Sequence, residues 1–427
     1  MGRRLAVIGT GYVGLSTGVC MAHLGHHVVC VDIDAAKIER LRRGEATIVE
    51  HRLPELLREG IDSGRLSFST DGAAAVADAE FVFMCVQTPQ GDDGSADLRH
   101  LYAALDSLAP ALRPGTVVIN KSTVPVGTAR EAQARLGRTD IHVASNPEFL
   151  REGSAIDDFL EPDRVVVGCD DAAAGARVAD LYRKLGAATV VTDPATSETV
   201  KYASNAFLAT KLSFVNDMAA LCEALSANID DVVIGMGLDR RIGKDFLRPG
   251  PGWGGSCFPK DSRALINIAD NVGHDFGLMR SVVESNLRQF DRIAARIASL
   301  VGGSLAGVPI GVWGLTFKAG TDDLRDSPAL EIVTRLLAAG ATVTAYDPTV
   351  TAPSPSIPAG VQIAADAVTA AKGASCLVVL TEWLEFAATD PDEVAAVVAE
   401  RRVFDGRNVL EADAWIDRGF SYARIGR

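Results

Sequence analysis

The sequence predicts an α/β protein of two doubly wound domains, each a mostly parallel sheet covered by helices, joined by a helical central domain with a long helix. Three observations predict it. Apolar runs of strand length alternate with helical stretches through the first half; from Ser197 to Leu300 the strand signals vanish; then the alternation resumes. Strands that alternate with helices pair in parallel, because a parallel pair needs a crossover connection. The expected domains are 1–196, 197–300 and 301–427.

The first strand, Leu5-Ala6-Val7-Ile8, runs into Gly9-Thr10-Gly11-Tyr12-Val13-Gly14. In a dinucleotide fingerprint of this form, Gly9 permits the tight turn, Gly11 lets the backbone approach a pyrophosphate, and Gly14 lets the helix opened by Tyr12 and Val13 pack closely on the strand. A second strand, Val28 to Val31, ends at Asp32, roughly 20 residues on, where a carboxylate accepts hydrogen bonds from the adenosine ribose. Asp32 would repel a 2′-phosphate, and Ile33 and Asp34 bring no arginine, so the cofactor reads as NAD in a Rossmann-like domain. Lys37 is a candidate cofactor contact, and equally a solvated helix residue.

Further strands are expected at Phe81 to Val86, Val117 to Asn120, His142 to Ser145 and Arg164 to Val167. Helices are expected over Glu198 to Leu225 and Ser262 to Leu300. The last domain opens with a strand at Pro309 to Leu315, followed by Thr342 to Tyr346, Cys376 to Leu380 and Arg402 to Asp405. It repeats a pattern of the first: Gly25 followed by His-His-Val-Val-Cys-Val-Asp32 matches Gly340 followed by Ala-Thr-Val-Thr-Ala-Tyr-Asp347 at identical spacing. The active site is expected in a cleft at the carboxyl ends of the strands.

A chain of 427 residues with 48% hydrophobic and 23% charged residues is long enough for two or three cores. A formal net charge of −13 argues against a nucleic-acid or anionic-membrane surface. Seven scattered cysteines without a CxxC pair point to reduced thiols in a cytoplasmic protein and to no metal site. No apolar run has the roughly 18 residues of a membrane span. The apolar central helix predicts a homodimer.

The nucleophile candidate lies in Trp253-Gly254-Gly255-Ser256-Cys257-Phe258-Pro259-Lys260-Asp261. Most free cysteines are buried small hydrophobes. A glycine-rich turn followed by lysine and aspartate instead suits a thiolate that attacks an aldehyde.

The fingerprint, Cys85-Val86-Gln87-Thr88-Pro89, Ser122-Thr123-Val124-Pro125-Val126-Gly127-Thr128, Asn146 to Gly153, Lys201 to Asn205, Gly254 to Asp261 and Phe317-Lys318 stand in an order that resembles the UDP-glucose/GDP-mannose 6-dehydrogenase family over nearly the whole chain. The resemblance implies a four-electron oxidation at C6 of a nucleotide sugar, UDP-glucose before GDP-mannose or a UDP-N-acetylhexosamine, with two NAD reduced. It implies Cys257 as nucleophile, Asp261 and Lys201 acting through a water on the hydroxyl proton, and Lys201 at the oxyanion. Asn205 would fix the C6 oxygen, while Thr123, Glu148, Glu152 and Asp261 would hold or activate the hydrolytic water. Thr88, Pro89, Ser122, Thr123, Glu152, Lys260 and Arg325 would approach NAD. Phe149, Leu150 and Arg151, with Glu148 and Glu152, would line the sugar site. Phe246, Leu247, Arg248, Pro249 and Gly250 would embrace the nucleotide, with Gly254, Lys318 and Arg407 nearby and Arg241 reaching a neighbouring subunit. Two other readings are a single-step hydroxyacid dehydrogenase, which has no use for Cys257, and a non-catalytic NAD sensor, which has no need of Cys257, Lys201 and Asp261 together.

Overall fold

The computed structural model describes residues 2–91 and 96–427. It divides into two compact units, residues 1–204 and 205–427.

The first unit is built on eight strands: β1 (Arg4–Ile8), β2 (His27–Val31), β3 (Leu66–Ser69), β4 (Phe81–Met84), β5 (Val117–Asn120), β6 (His142–Ser145), β7 (Arg164–Cys169) and β8 (Ala188–Thr192). Their order is β3-β2-β1-β4-β5-β6-β7-β8, parallel throughout except between β6 and β7. The central strands are continuous apolar runs because both faces are covered: every residue of β4 and β5 is buried. Leu5, Val7, Phe81 and Phe83 belong to the core on one face, and Ala6, Ile8, Val82 and Met84 to the core on the other. Chain order reverses between β1 and β4, and a sheet of this kind takes its ligand at such a point, outside the carboxyl ends of the strands. The fingerprint and the loops at Val86, Ser122 and Asn146 all leave those ends.

The second unit carries an all-parallel sheet of β9 (Pro309–Trp313), β10 (Thr342–Tyr346), β11 (Val361–Ile363), β12 (Cys376–Val379), β13 (Arg402–Asp405) and β14 (Ser421–Arg424), in the order β11-β10-β9-β12-β13-β14. The pattern shared by the two halves is structural. Gly9 has φ +96° and donates to Val31 O at 2.7 Å; Gly314 has φ +93° and donates to Tyr346 O at 2.8 Å. Asp32 accepts from Thr10 N and Oγ1, as Asp347 does from Thr316 N and Oγ1. Asp347 also accepts from Leu315 N and Trp383 Nε1 and is buried, which makes it a structural clasp instead of a ribose ligand.

The long helix spans Pro194–Leu225. The single helical stretch expected from Ser262 to Leu300 is two helices, Phe258–Asn271 and Gly277–Leu300. Gly273, at φ +73°, ends the first, and His274 N returns to Ala269 O at 2.9 Å.

Candidate active site

The glycines of the fingerprint differ in what surrounds them. A Cβ on Gly9 would lie 2.6 Å from Cys85 O, and one on Gly14 1.9 Å from Gly9 O, whereas a Cβ on Gly11 would meet nothing within 4 Å. Gly11 caps the helix Tyr12–His23 with no side-chain hydrogen bond, and no acidic residue occupies its first turn. Open space against the positive end of a helix is what a pyrophosphate requires. Asp32 Oδ2 takes hydrogen bonds from Thr10 N (3.0 Å) and Thr10 Oγ1 (2.6 Å), and Asp34 N reaches Oδ1 at 3.2 Å. Partial burial works against its charge, but these bonds and Lys37, whose Nζ stands 3.2 Å away, hold the carboxyl below the usual range. The residues present therefore fit NAD. Asp32→Ala is expected to weaken NAD binding by roughly tenfold and to narrow the preference over NADP, because it removes both an acceptor for the ribose hydroxyls and a repelling charge; titration of the two cofactors measures it. The loops after β4 and β5 are joined by Thr88 Oγ1 to Thr123 O (2.9 Å) and Ser122 Oγ to Val86 O (2.6 Å). Pro89 is exposed.

On leaving β6 the chain places Glu148 against the long helix. Glu148 Oε1 meets Lys201 Nζ at 2.9 Å, and Glu148 Oε2 accepts from Leu150 N at 2.6 Å. The two side chains are 5% and 3% exposed. Burial opposes the Glu148 charge, yet Lys201 and the Leu150 amide hold its pKa below the ordinary carboxylate value. Phe149 lies beneath Lys201 Nζ, 5.5 Å from the ring centroid, and Arg164 stacks on the same ring at 3.6 Å. Arg151 turns outward and engages Asp158.

Two buried carboxylates not anticipated from the sequence fix these loops. Glu50 accepts from Gly153 N (2.6 Å) and Ala155 N (2.9 Å), on either side of the turn that follows Glu152. Glu198, one helical turn before Lys201, accepts from Gly127 N (2.6 Å) and Ala129 N (2.8 Å), which ties the loop bearing Thr123 to the long helix. The only local signal for either was an acidic residue next to an apolar segment.

In the second unit Cys257 is the N-cap of the helix Phe258–Asn271 and is partly exposed, while the other six cysteines are buried. Asp261 N donates to Cys257 O at 2.8 Å, so the carboxylate sits one turn along. Asp261 is 1% exposed and accepts from Asn205 Nδ2 (2.6 Å) and Lys260 Nζ (2.7 Å). The turn before the thiol needs glycine because of close neighbours: a Cβ on Gly254 would stand 1.9 Å from Asp326 O, and one on Gly255 2.8 Å from the Phe317 ring. Buried polar side chains hold that turn from two helices. Asn216 Oδ1 accepts from Gly250 N, Gln289 Nε2 donates to Gly250 O, and Asn286 pairs with both Trp253 N and Trp253 O.

Of the substrate candidates, Arg407 reaches Phe317 O (2.7 Å), Leu380 O (2.8 Å) and Glu382 (3.0 Å), and Arg248 donates to Asn408 O. Lys318 Nζ lies 5.8 Å from the Phe317 ring centroid. Leu247 and Pro249 are buried, so their side chains are packing. Phe246 adopts φ +59° and faces Phe258. Arg325 forks onto Asp323. Arg241 forks onto Asp239 at the surface and is 89% exposed.

Residues 3–186, 195–288 and 311–412 match, respectively, the NAD binding, central and UDP binding domains of the UDP-glucose/GDP-mannose dehydrogenase family. The chain is 45% identical to a UDP-glucose 6-dehydrogenase of Rhizobium meliloti (strain 1021), covering 99% of each. It is 42% identical to the UDP-glucose 6-dehydrogenase YwqF of Bacillus subtilis (strain 168), covering 99% of this chain and 97% of that one. Among solved structures, a UDP-glucose dehydrogenase from Pyrobaculum islandicum superposes with TM-score 0.90 at 36% identity, covering 100% and 98% of the two chains.

Proposed function

The chain belongs to the UDP-glucose/GDP-mannose dehydrogenase family, and from that premise we propose that it oxidises the C6 hydroxymethyl of UDP-glucose to the carboxylate of UDP-glucuronate through a thioester on Cys257. It is an NAD-dependent oxidoreductase. The observation that carries the thioester route is the partly exposed Cys257 thiol at a helix N-terminus, one turn from a buried Asp261 that Asn205 and Lys260 hold.

Gly11 and Asp32 would hold the pyrophosphate and ribose of NAD, which would supply the hydride acceptor, one NAD for each of the two oxidations. Asp261 takes the C6 hydroxyl proton in the first, and Asn205 orients that oxygen. The Cys257 sulfur then bonds to the aldehyde carbon, and the carbonyl electron pair becomes an oxyanion that Lys201 would stabilise. Loss of the second hydride from C6 leaves a thioester. Water held by Thr123, Glu148 and Glu152 adds to it, the C–S bond breaks, and Cys257 is freed with the carboxylate as product.

The same reading assigns Arg241 to a second copy of the chain. Phe207, Phe214 and Leu221, seven residues apart on the long helix, are exposed, as is Leu225, and this stripe supports self-association as a homodimer. Among the described residues no helix is long and apolar enough to cross a membrane.

The test is the count of NADH formed per sugar consumed, with UDP-glucose, GDP-mannose and UDP-N-acetylglucosamine supplied in parallel. Two per UDP-glucose is the expected result. One per sugar would remove the thioester, and turnover of another nucleotide sugar alone would change the substrate.

A further inference from the structure

Lys121 is a buried cation that the reaction as written does not use. It sits at the carboxyl end of β5, and its Nζ donates to Asn146 Oδ1 (3.1 Å) and faces Tyr182 OH (3.3 Å), while Tyr182 OH itself donates to Asn146 Oδ1. Among the described residues no carboxylate pairs with it. Removing an ammonium from water without an ionic partner costs several kcal/mol, and a methionine of similar length would fill the space without that penalty. The position also has a neighbour of interest. Lys121 and Glu148 line one small cavity of about 40 Å³, together with Asn146, Phe149, Arg164 and Tyr182.

The catalytic pair has a charge problem of its own. Lys201 is the counter-ion of a buried Glu148 at rest, and under the mechanism above it turns toward an oxyanion at C6. At that moment Glu148 is left buried with less of its counter-charge, and an uncompensated buried carboxylate takes up a proton. We propose that Lys121 is a positioning residue for this pair: its ammonium, across the cavity, keeps Glu148 ionised while Lys201 serves the oxyanion, and its bond to Asn146 fixes the start of the loop that carries Glu148. Burial pushes the Lys121 amine down to about 8, opposed by the charges of Cys85 and Glu148 and assisted by Lys201. Arg164 and Asp158 are also on the cavity wall.

The inference rests on the assignment of Lys201 and Glu148 to the reaction, so wild-type NADH stoichiometry is measured first. A failure there ends that assignment; success with an unchanged Lys121 variant ends only the inference. Lys121→Met removes both charge and hydrogen bonds, whereas Lys121→Gln keeps an amide for Asn146 and Tyr182. Both variants are expected to lower kcat about tenfold near neutral pH and to move the acid limb of the kcat profile up by about one pH unit, as the Glu148 carboxyl becomes easier to protonate. NAD binding, made at Gly11 and Asp32, is expected to stay within about twofold. Recovery of the wild-type profile by Lys121→Gln would reduce Lys121 to a structural tether and overturn the proposal. If neither variant folds, the wild-type profile decides: a kcat held down to about pH 5 supports a Glu148 kept ionised during turnover, and an acid limb above about pH 6 overturns it.

Discussion

Cys257→Ser is expected to abolish uronate formation, with turnover to the carboxylate reduced by on the order of 10⁴-fold, while NAD binding remains. A serine hydroxyl at this helix N-terminus lacks the ionisation and polarisable lone pairs of a thiolate, and its adduct with an aldehyde gives no thioester. No other thiol can substitute. Cys20, Cys30, Cys85, Cys169 and Cys376 are buried with their thiols pushed up by desolvation, Cys85 and Cys376 to about 12, and Cys222 is buried in the hydrophobic core of the second unit. The variant is expected to release or retain a C6 aldehyde after the first oxidation. Single-turnover NADH formation with mass spectrometry of the sugar measures this directly. Uronate produced at a rate near that of the wild type would take Cys257 out of the reaction.

The fingerprint turn and the glycine turn before Cys257 were legible because their constraints are local. Gly9 and Gly14 are required by backbone atoms a few residues or one strand away, and a glycine forced by such approach leaves a spaced pattern in the chain. The central strands were legible for a related reason: β4, β5 and β12 are buried on both faces and read as unbroken apolar runs. The strands missed are the four edges, β3, β8, β11 and β14. Water reaches an edge strand, so Leu-Ser-Phe-Ser, Val-Gln-Ile and Ser-Tyr-Ala-Arg carry too little apolar signal, and Ala188–Thr192 is exposed along nearly its whole length. The clamps escaped for the opposite reason. Glu50, Glu198, Asn216, Asn286 and Gln289 are buried polar residues whose partners lie 33 to 105 residues away, and in the sequence they look like members of a solvated helix face or loop. The same remoteness hid Lys121, which reads as one more residue of the loop after β5 until Asn146 and Tyr182 are seen around it.

Lys201→Met is expected to cost both stability and rate, and the two losses separate. Lys201 and Glu148 are a buried pair 2.9 Å apart, and truncating one member leaves the other without its ion-pair partner, which destabilises by about 3–5 kcal/mol. That loss belongs to Glu148, so its pH dependence has a definite sign. In the wild type the Glu148 carboxyl is held below its unfolded value, and its stabilisation is present above that value and lost as pH falls through the lowered native one. In the variant the Glu148 pKa rises from its wild-type position, with Lys121 across the cavity still opposing protonation. The deficit is then full at neutral pH and shrinks as acid protonates the carboxyl. Denaturant melts at about pH 8 and about pH 3 should therefore diverge for wild type and variant at the first and draw together at the second. Adding Glu148→Gln removes the orphaned charge and is expected to restore most of the stability at neutral pH. It is not expected to restore the rate, because the cation proposed for the C6 oxyanion is still missing, and loss of such an electrostatic contact is worth about 10²–10³ in kcat. A double variant that recovers stability while remaining that slow places Lys201 in the chemistry, and one that recovers both would make the pair structural.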